Sequence, residues 1–221
     1  MKEIMPKINP DWLHQILVVD GGSTDGSVEY ARQQGYDVVE QKVTGLRHGY
    51  TEAIPHITGD AIITFSPDGN SIPELLPDLM AKMEENGGYD MVIVSRYLDD
   101  AKSEDDDIVT AFGNWLFTRT VNVLHGGNYT DAMVMYRAYR TAMLSELDLD
   151  KDEGFWLAEK MFFTRLGTEP LLSTRAAKRK LKIGEIPGDE PPRIGGERKL
   201  QIIRWGGAYY FQFLRELFFW R

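Results

Sequence analysis

The feature that most restricts this chain is a rhythm in its first hundred residues. Short apolar, β-branched runs at 16–20, 36–40, 61–65 and 91–94 alternate with amphipathic stretches. Apolar runs of four or five residues bounded by turn signals suit buried strands, and the stretches between them are long enough for crossover helices. Gly21-Gly22-Ser23-Thr24-Asp25-Gly26 closes the first run as a turn, and Ser23 or Asp25 caps the helix that follows. A short helix is expected at 50–57, ending near Gly59. A longer one is expected at 73–85, with Pro73 in its first turn where no N–H is needed. The pattern predicts an α/β fold, a mostly parallel sheet with helices on both faces.

Beyond Tyr97 the texture changes. Residues 99–107 are strongly acidic and read as a mobile loop. Helices are expected over 108–124 and 152–166, a strand over 181–186, and a loop rich in Pro and Gly over 187–196. Residues 200–221 are aromatic-rich and helical, a unit set against a main domain of 1–199. The net charge of -9 is uneven: from Arg175 onward eleven Lys/Arg stand against five Asp/Glu, leaving -15 on residues 1–174. A basic end on an acidic body suits an anionic or phosphate-rich partner at that end, and no nucleic-acid module is visible. There is no cysteine, which excludes disulfides and thiolate metal sites, and the four histidines lack ligand spacing. Residues 1–10 carry no signal-like apolar core, and the longest uncharged run near the end, 205–214, is too short to span a bilayer. A cytoplasmic location is therefore expected. Eight aromatics interspersed with Arg204, Arg215 and Arg221 suit a helix lying on an anionic membrane face, or one packed on its own domain or a second subunit.

In open α/β sheets ligands gather at the carboxyl ends of strands, and three groups stand there: Asp20, the segment Ser66-Pro67-Asp68-Gly69-Asn70, and Ser95-Arg96-Tyr97. Asp68 and Asn70 supply hard oxygen ligands of the kind that hold Mg²⁺ or Mn²⁺ against a substrate's phosphates, although an Asp-Gly turn before the next helix needs the same residues. Asp20 can accept hydrogen bonds from a base or ribose, while Gly21 with its neighbour Gly22 admits close backbone approach; an N-cap turn is the alternative. Arg47, in Gly45-Leu46-Arg47-His48-Gly49, and Arg193 and Lys199, in a flexible lid, can meet a diphosphate or be surface charges. Asp131 can act as a general base or orient an acceptor, or pair with Arg137 or Arg140. Neither G-x-G-x-x-G nor a P-loop occurs.

Taken in order, these segments resemble the family 2 glycosyltransferases, especially the polyprenyl-phosphate, dolichol-phosphate mannose type branch. Val18 to Ser27 looks like the family's nucleotide-binding turn, and Gly45 to Ala53 like its second glycine-rich segment. Phe65-Ser66-Pro67-Asp68-Gly69-Asn70 stands where the family carries Asp-x-Asp. Ser95-Arg96-Tyr97, Phe112-Gly113-Asn114, Asp131, Tyr136 to Arg140, Glu185-Ile186-Pro187 and Arg193 to Lys199 follow in sequence. The resemblance implies a GT-A fold, a nucleotide-sugar donor, a divalent Mg²⁺ or Mn²⁺, and inverting transfer to a polyprenyl-phosphate or glycan acceptor. It assigns Asp20, Gly21, Ser23, Arg47, Arg96, Arg193 and Lys199 to the donor, Asp68 and Asn70 to the metal, and Asp131 to the acceptor. Ser66 replaces the first acid of Asp-x-Asp, Ala132-Met133-Val134 replaces the usual Thr-Ser-Gly, and the family's opening strand has no counterpart before Met1. Those departures keep open a non-catalytic nucleotide-sugar-binding domain, and a nucleotidyltransferase is a further alternative.

Overall fold

The computed structural model describes residues 1–194 and 202–220; Lys199 lies outside the described residues. Among the described residues six strands form two sheets. β1 (Leu17–Asp20) and β2 (Asp37–Glu40) pair in parallel, with α1 (Ser27–Gln33) as their crossover. β3 (Ala61–Thr64), β4 (Met91–Ser95), β5 (Arg137–Arg140) and β6 (Ile183–Pro187) form a four-stranded sheet in the order β3-β5-β4-β6. β5 runs antiparallel to both neighbours, while β4 and β6 are parallel. The helices are α2 (Leu46–Ala53), α3 (Leu76–Glu84), α4 (Ile108–His125), α5 (Met143–Glu146), α6 (Trp156–Phe162), α7 (Glu169–Lys178) and α8 (Ile202–Phe219).

β4 shows why the apolar runs are continuous. Successive side chains of a strand point to opposite faces. Val92 and Val94 pack with Leu76, Leu79 and Met83 of α3 and with Met5 and Ile8. Met91 and Ile93 join Leu171 and Leu172 of α7 and Phe213 and Trp220 on the other face. Both faces are covered, so no polar alternation is left to read. Between the two sheets the Gln15 amide bridges: its Nε2 donates to Asp37 Oδ2 and the His56 carbonyl, and its Oε1 accepts from the Thr58 N–H and hydroxyl.

α2, α6 and α7, together with the single turn α5, depart from the sequence expectation. α2 starts at Leu46 rather than at residue 50, because Gly49 lies inside it as a packing residue. A Cβ there would meet the Gln41 amide at 2.0 Å and Val19 at 3.2 Å. The helix expected over 152–166 shortens to α6, which Phe163 ends in the left-handed region at φ 50. α7 was not anticipated at all: it is buried on nearly every side, so it has no amphipathic period.

α8 is bound to the domain through a buried ion pair. Arg175 Nε donates to Glu216 Oε2 at 2.8 Å, and both side chains are enclosed. Arg175 also donates to the carbonyls of Leu147 and Asp148, and Gln212 Nε2 donates to Glu216. The Arg175 and Arg179 guanidinia each lie 5.0 Å from the Trp220 ring. One face of α8 is thus spent on its own domain, while Leu214, Phe218 and Phe219 remain exposed. Among the described residues no helix is long and apolar enough to cross a membrane.

Glu216→Ala would strand Arg175 as an uncompensated buried charge and is expected to cost about 3–5 kcal/mol. Urea unfolding of the two chains measures it. A loss below ~1 kcal/mol would mean that water reaches the site.

Candidate active site

The register puts several loops at one end of the four-stranded sheet. Thr64 at the end of β3 and Ile93 near the end of β4 both pair with Arg137, the first residue of β5, and Ser95 pairs with Pro187 at the end of β6. The segment after β3, the segment after β4, the approach to β5 and the segment after β6 therefore converge. They carry Asp68, Arg96, Asp131, and Glu190 with Arg193.

Arg96 and Asp131 form the centre. Arg96 Nε donates to Asp131 Oδ2 at 2.6 Å and Nη2 to Oδ1 at 3.1 Å, a two-pronged contact in which Asp131 is fully enclosed. Arg96 Nη1 donates to Glu190 Oε2 at 2.9 Å and lies 3.5 Å from Asp106. Burial works against the guanidinium charge, but Asp131 outweighs it and pushes the Arg96 pKa well above its ordinary value. The expected alternatives for Asp131 are not taken. Arg137 donates to the Val134 and Ala132 carbonyls and to Ser173, and Arg140 pairs with Asp90 and Glu146.

Asp68 sits in a tight turn that Gly69 makes possible. Gly69 has φ +103, and a Cβ on it would meet Ile194 at 2.6 Å. The Asn70 N–H donates to Asp68 Oδ1 at 3.3 Å, and the Ile194 N–H donates to the Asp68 carbonyl at 2.9 Å. Arg193 lies 3.5 Å from Asp68 Oδ2 and 3.2 Å from Asp105 Oδ2. Asn70 Nδ2 donates to Glu190 Oε1 at 3.4 Å, and its Oδ1 accepts from Ser71 at 3.4 Å. The donor set is hard oxygen, one carboxylate and one amide carbonyl. Among the described residues no three acidic or histidine side chains form a metal cluster. Such a set fits Mg²⁺ or Mn²⁺ only where a ligand's phosphates and water complete the shell.

Two expected donor residues bond elsewhere. Asp20 Oδ2 accepts from the N–H groups of Gly22 and Ser23 at 2.8 and 2.9 Å, closing its own turn beside Gly21. Burial would raise its pKa, but hydrogen bonds from Ser23 and Gly22 win and lower it. Arg47 is buried against α6: its guanidinium bonds Asp152 and Glu159 and lies 4.4 Å from the Phe155 ring. Beside it, Gly45, His48, Arg165, Trp205 and Tyr209 help line a cavity of about 210 Å³.

Glu190, Asp105 and Asp106 were not singled out from the sequence, and Glu185 entered only within the Glu185-Ile186-Pro187 segment of the resemblance. Glu190 was hidden in a proline-rich loop, although a carboxylate three residues before Arg193 is a signal for an ion-pair network. Glu185 Oε1 accepts from the Thr130 N–H at 2.9 Å and its Oε2 from the Thr130 hydroxyl at 2.8 Å, fixing the approach to Asp131, and burial raises its pKa. Ser103 donates to Glu190, and the Tyr97 hydroxyl donates to Asp106. The loop expected to be mobile is thus bonded into the site.

Residues 11–148 match the model of the family described as "Glycosyl transferase family 2". The chain is 29% identical over 203 residues to glycosyltransferase AglJ of Haloferax volcanii, across 91% of this chain but 62% of AglJ, so it spans less than two thirds of that relative. Two solved structures of glucosyl-3-phosphoglycerate synthase from Mycobacterium tuberculosis share the fold. The complex with Mn²⁺, UDP-glucose and glycerol 3-phosphate has TM-score 0.59 at 17% identity, covering 98% of this chain and 73% of that one. The complex with Mn²⁺, UDP and phosphoglyceric acid has TM-score 0.60 at 16% identity, covering 93% and 68%. With the GT-A fold of these neighbours and a family match over more than half its length, the chain belongs to glycosyl transferase family 2.

Proposed function

We propose that this chain catalyses sugar transfer from a nucleoside-diphosphate sugar, with inversion, to a polyprenyl-phosphate acceptor at a membrane surface. The observation that carries the reading is the convergence of Asp68, Asn70, Arg96, Asp131, Glu190 and Arg193 at one end of the four-stranded sheet. A divalent ion held by Asp68 and Asn70 would neutralise charge on the departing diphosphate. Arg193, with Lys199 beyond it in sequence, adds cationic stabilisation, and Arg96 presents a cation fixed in place before any ligand arrives. Asp20, with Gly21 and Ser23, is proposed for the nucleoside, and Arg47 for holding its own glycine-rich segment against α6.

The surroundings of Asp131 support one acceptor class over the other. A sugar hydroxyl needs a base with a free oxygen, and both Asp131 oxygens are engaged, by Arg96 and by the Met133 N–H. A phosphate acceptor is already an anionic nucleophile. Asp131 then serves as a positioning residue for Arg96, which supports the polyprenyl-phosphate branch over a glycan acceptor.

Asp20 and its turn, proposed for the nucleoside, stand at the end of β1 in the two-stranded sheet. β1 pairs only with β2 and β3 only with β5 among the described residues. Peripheral membrane contact is proposed for the exposed flank of α8 with the outward face of α4, where Ile108, Phe112 and Trp115 are exposed. A non-catalytic nucleotide-sugar-binding role is the second reading, favoured by Ser66, which leaves one carboxylate for the metal.

Asp68→Ala is expected to lower transfer from a nucleoside-diphosphate sugar with Mn²⁺ by about a hundredfold or more. Trace turnover equal in both chains would favour the second reading. Flotation with anionic liposomes should fall in a Phe218→Ser, Phe219→Ser chain. Deleting residues 200–221 is the wrong control, since it removes Glu216 from Arg175. Equal flotation of the wild-type and doubly substituted chains removes α8 from the membrane reading.

A further inference from the structure

We infer that the acidic loop 99–107 is an internal stand-in for phosphate: Asp105 and Asp106 occupy the cations Arg193 and Arg96 until an anionic ligand displaces them. The inference rests on the proposed donor and acceptor roles of those two arginines and adds a regulation of the same site. Its basis is a pattern of four contacts. Arg193 Nε lies 3.2 Å from Asp105 Oδ2, and Arg96 Nη1 lies 3.5 Å from Asp106 Oδ2. The Tyr97 hydroxyl donates to the same Asp106, and Ser103, at the start of the run, donates to Glu190, which itself holds Arg96.

A surface loop of like charges would ordinarily extend into water, because its members repel one another. Here Asp99 and Asp100 do so and are exposed, while Asp105 and Asp106 turn inward. What draws them in is the guanidinium pair. The loop is also anchored at both ends of the inward turn. The Lys102 N–H donates to Asp189 Oδ1 at 2.8 Å, and Glu104 and Glu190 exchange a backbone hydrogen bond, the Glu104 N–H donating to the Glu190 carbonyl at 2.8 Å. At the far side Asp107 caps α4 through the Thr110 N–H. Asp105 and Asp106 are thus presented as a pair of adjacent anions facing two arginines, the arrangement that two linked phosphate groups would make.

The contacts are competitive by geometry. Arg96 keeps Asp131 on Nε and Nη2, so only its Nη1 edge, now shared by Glu190 and Asp106, is available to an incoming anion. A bound diphosphate or phosphate monoester on that edge therefore needs Asp106 to leave and Glu190 to share Nη1 with it, and the same ligand on Arg193 needs Asp105 to leave. Release of both would loosen the 105–106 turn from Arg96 and Arg193 while Lys102 and Glu104 keep their bonds to Asp189 and Glu190, coupling ligand entry to a local opening of the site. The cost of expelling the loop lowers apparent affinity for any anion.

Titration with pyrophosphate, without divalent metal, tests this in the full chain. Asp105→Asn with Asp106→Asn keeps size and hydrogen-bonding capacity but removes the competing charge. That chain is expected to bind pyrophosphate about tenfold tighter than wild type. An Asp99→Asn, Asp100→Asn chain removes the same charge from the exposed part of the loop and is expected to tighten binding by less than about twofold, through long-range charge alone. Thermal unfolding of each chain confirms that it is folded. Equal pyrophosphate affinity in wild type and the Asp105, Asp106 variant overturns the stand-in while leaving the transferase reading intact. Equal tightening in both variants overturns it too, as a bulk charge effect. Binding by no chain overturns the anion site itself, together with the reading on which the inference rests.

Discussion

The enclosed pair of Arg96 and Asp131 is the contact on which the rest of the site depends. It joins the end of β4 to the segment that enters β5, two elements that pair antiparallel, and it lies beside a hydroxyl contact between Ser95 and Thr130 of the same segments. Taking both charges out of water is costly, and their mutual attraction offsets that cost only with good geometry and further hydrogen bonds. Both conditions hold: the contact is two-pronged, and Asp131 also accepts from the Met133 N–H. Such a pair is weak evidence for stability, since an apolar pair of equal volume would serve the fold as well. What an apolar pair would lack is a fixed cation at the mouth of the sheet, with one edge turned toward Asp106 and Glu190.

Much of the fold was legible because burial leaves a pattern. The first four strands and α4 fall within a residue or so of their expected places, since continuous β-branched runs and an Asp107 cap are local signals. α7 was not legible because a helix buried on nearly every side carries no period, and its Glu169, Ser173, Thr174 and Arg175 read as surface residues. Each of these polar groups is enclosed through a specific partner: Glu169 with Tyr50, Ser173 with Arg137, Thr174 with the Pro170 carbonyl, Arg175 with Glu216. Sequence shows residue types, whereas the partners of Glu169, Ser173 and Arg175 lie tens of residues away along the chain.

The same limit applied to the site. The ordered motifs placed Asp68, Asn70, Arg96, Asp131 and Arg193, and all of these meet at one end of the four-stranded sheet. Glu190 was missed, although it touches Arg96, Asn70 and Ser103, because a lone glutamate among prolines has no spacing rule. Arg47 shows the converse. A cation in a glycine-flanked loop suggested a phosphate, but the residues that decide its direction, Asp152 and Glu159, lie over a hundred positions later.

Charge balance supports the inferred displacement of Asp105 and Asp106. Among the described residues, Asp68, Asp105, Asp106, Asp131 and Glu190 face Arg96 and Arg193, five carboxylates against two guanidinia. A divalent ion beside Asp68 and Asn70 would bring that sum near neutrality, which makes the cluster a better host for a cation than for an anion. Adding a diphosphate to the same place restores the excess of negative charge in a poorly hydrated region, where it is most costly. The deficit can be met only by further cations or by departure of carboxylates. Asp131 is enclosed and Asp68 is the proposed metal ligand, so neither is the acid to leave. Asp105 and Asp106 ride on a loop whose outer residues are exposed, and they are the two acids the site can give up.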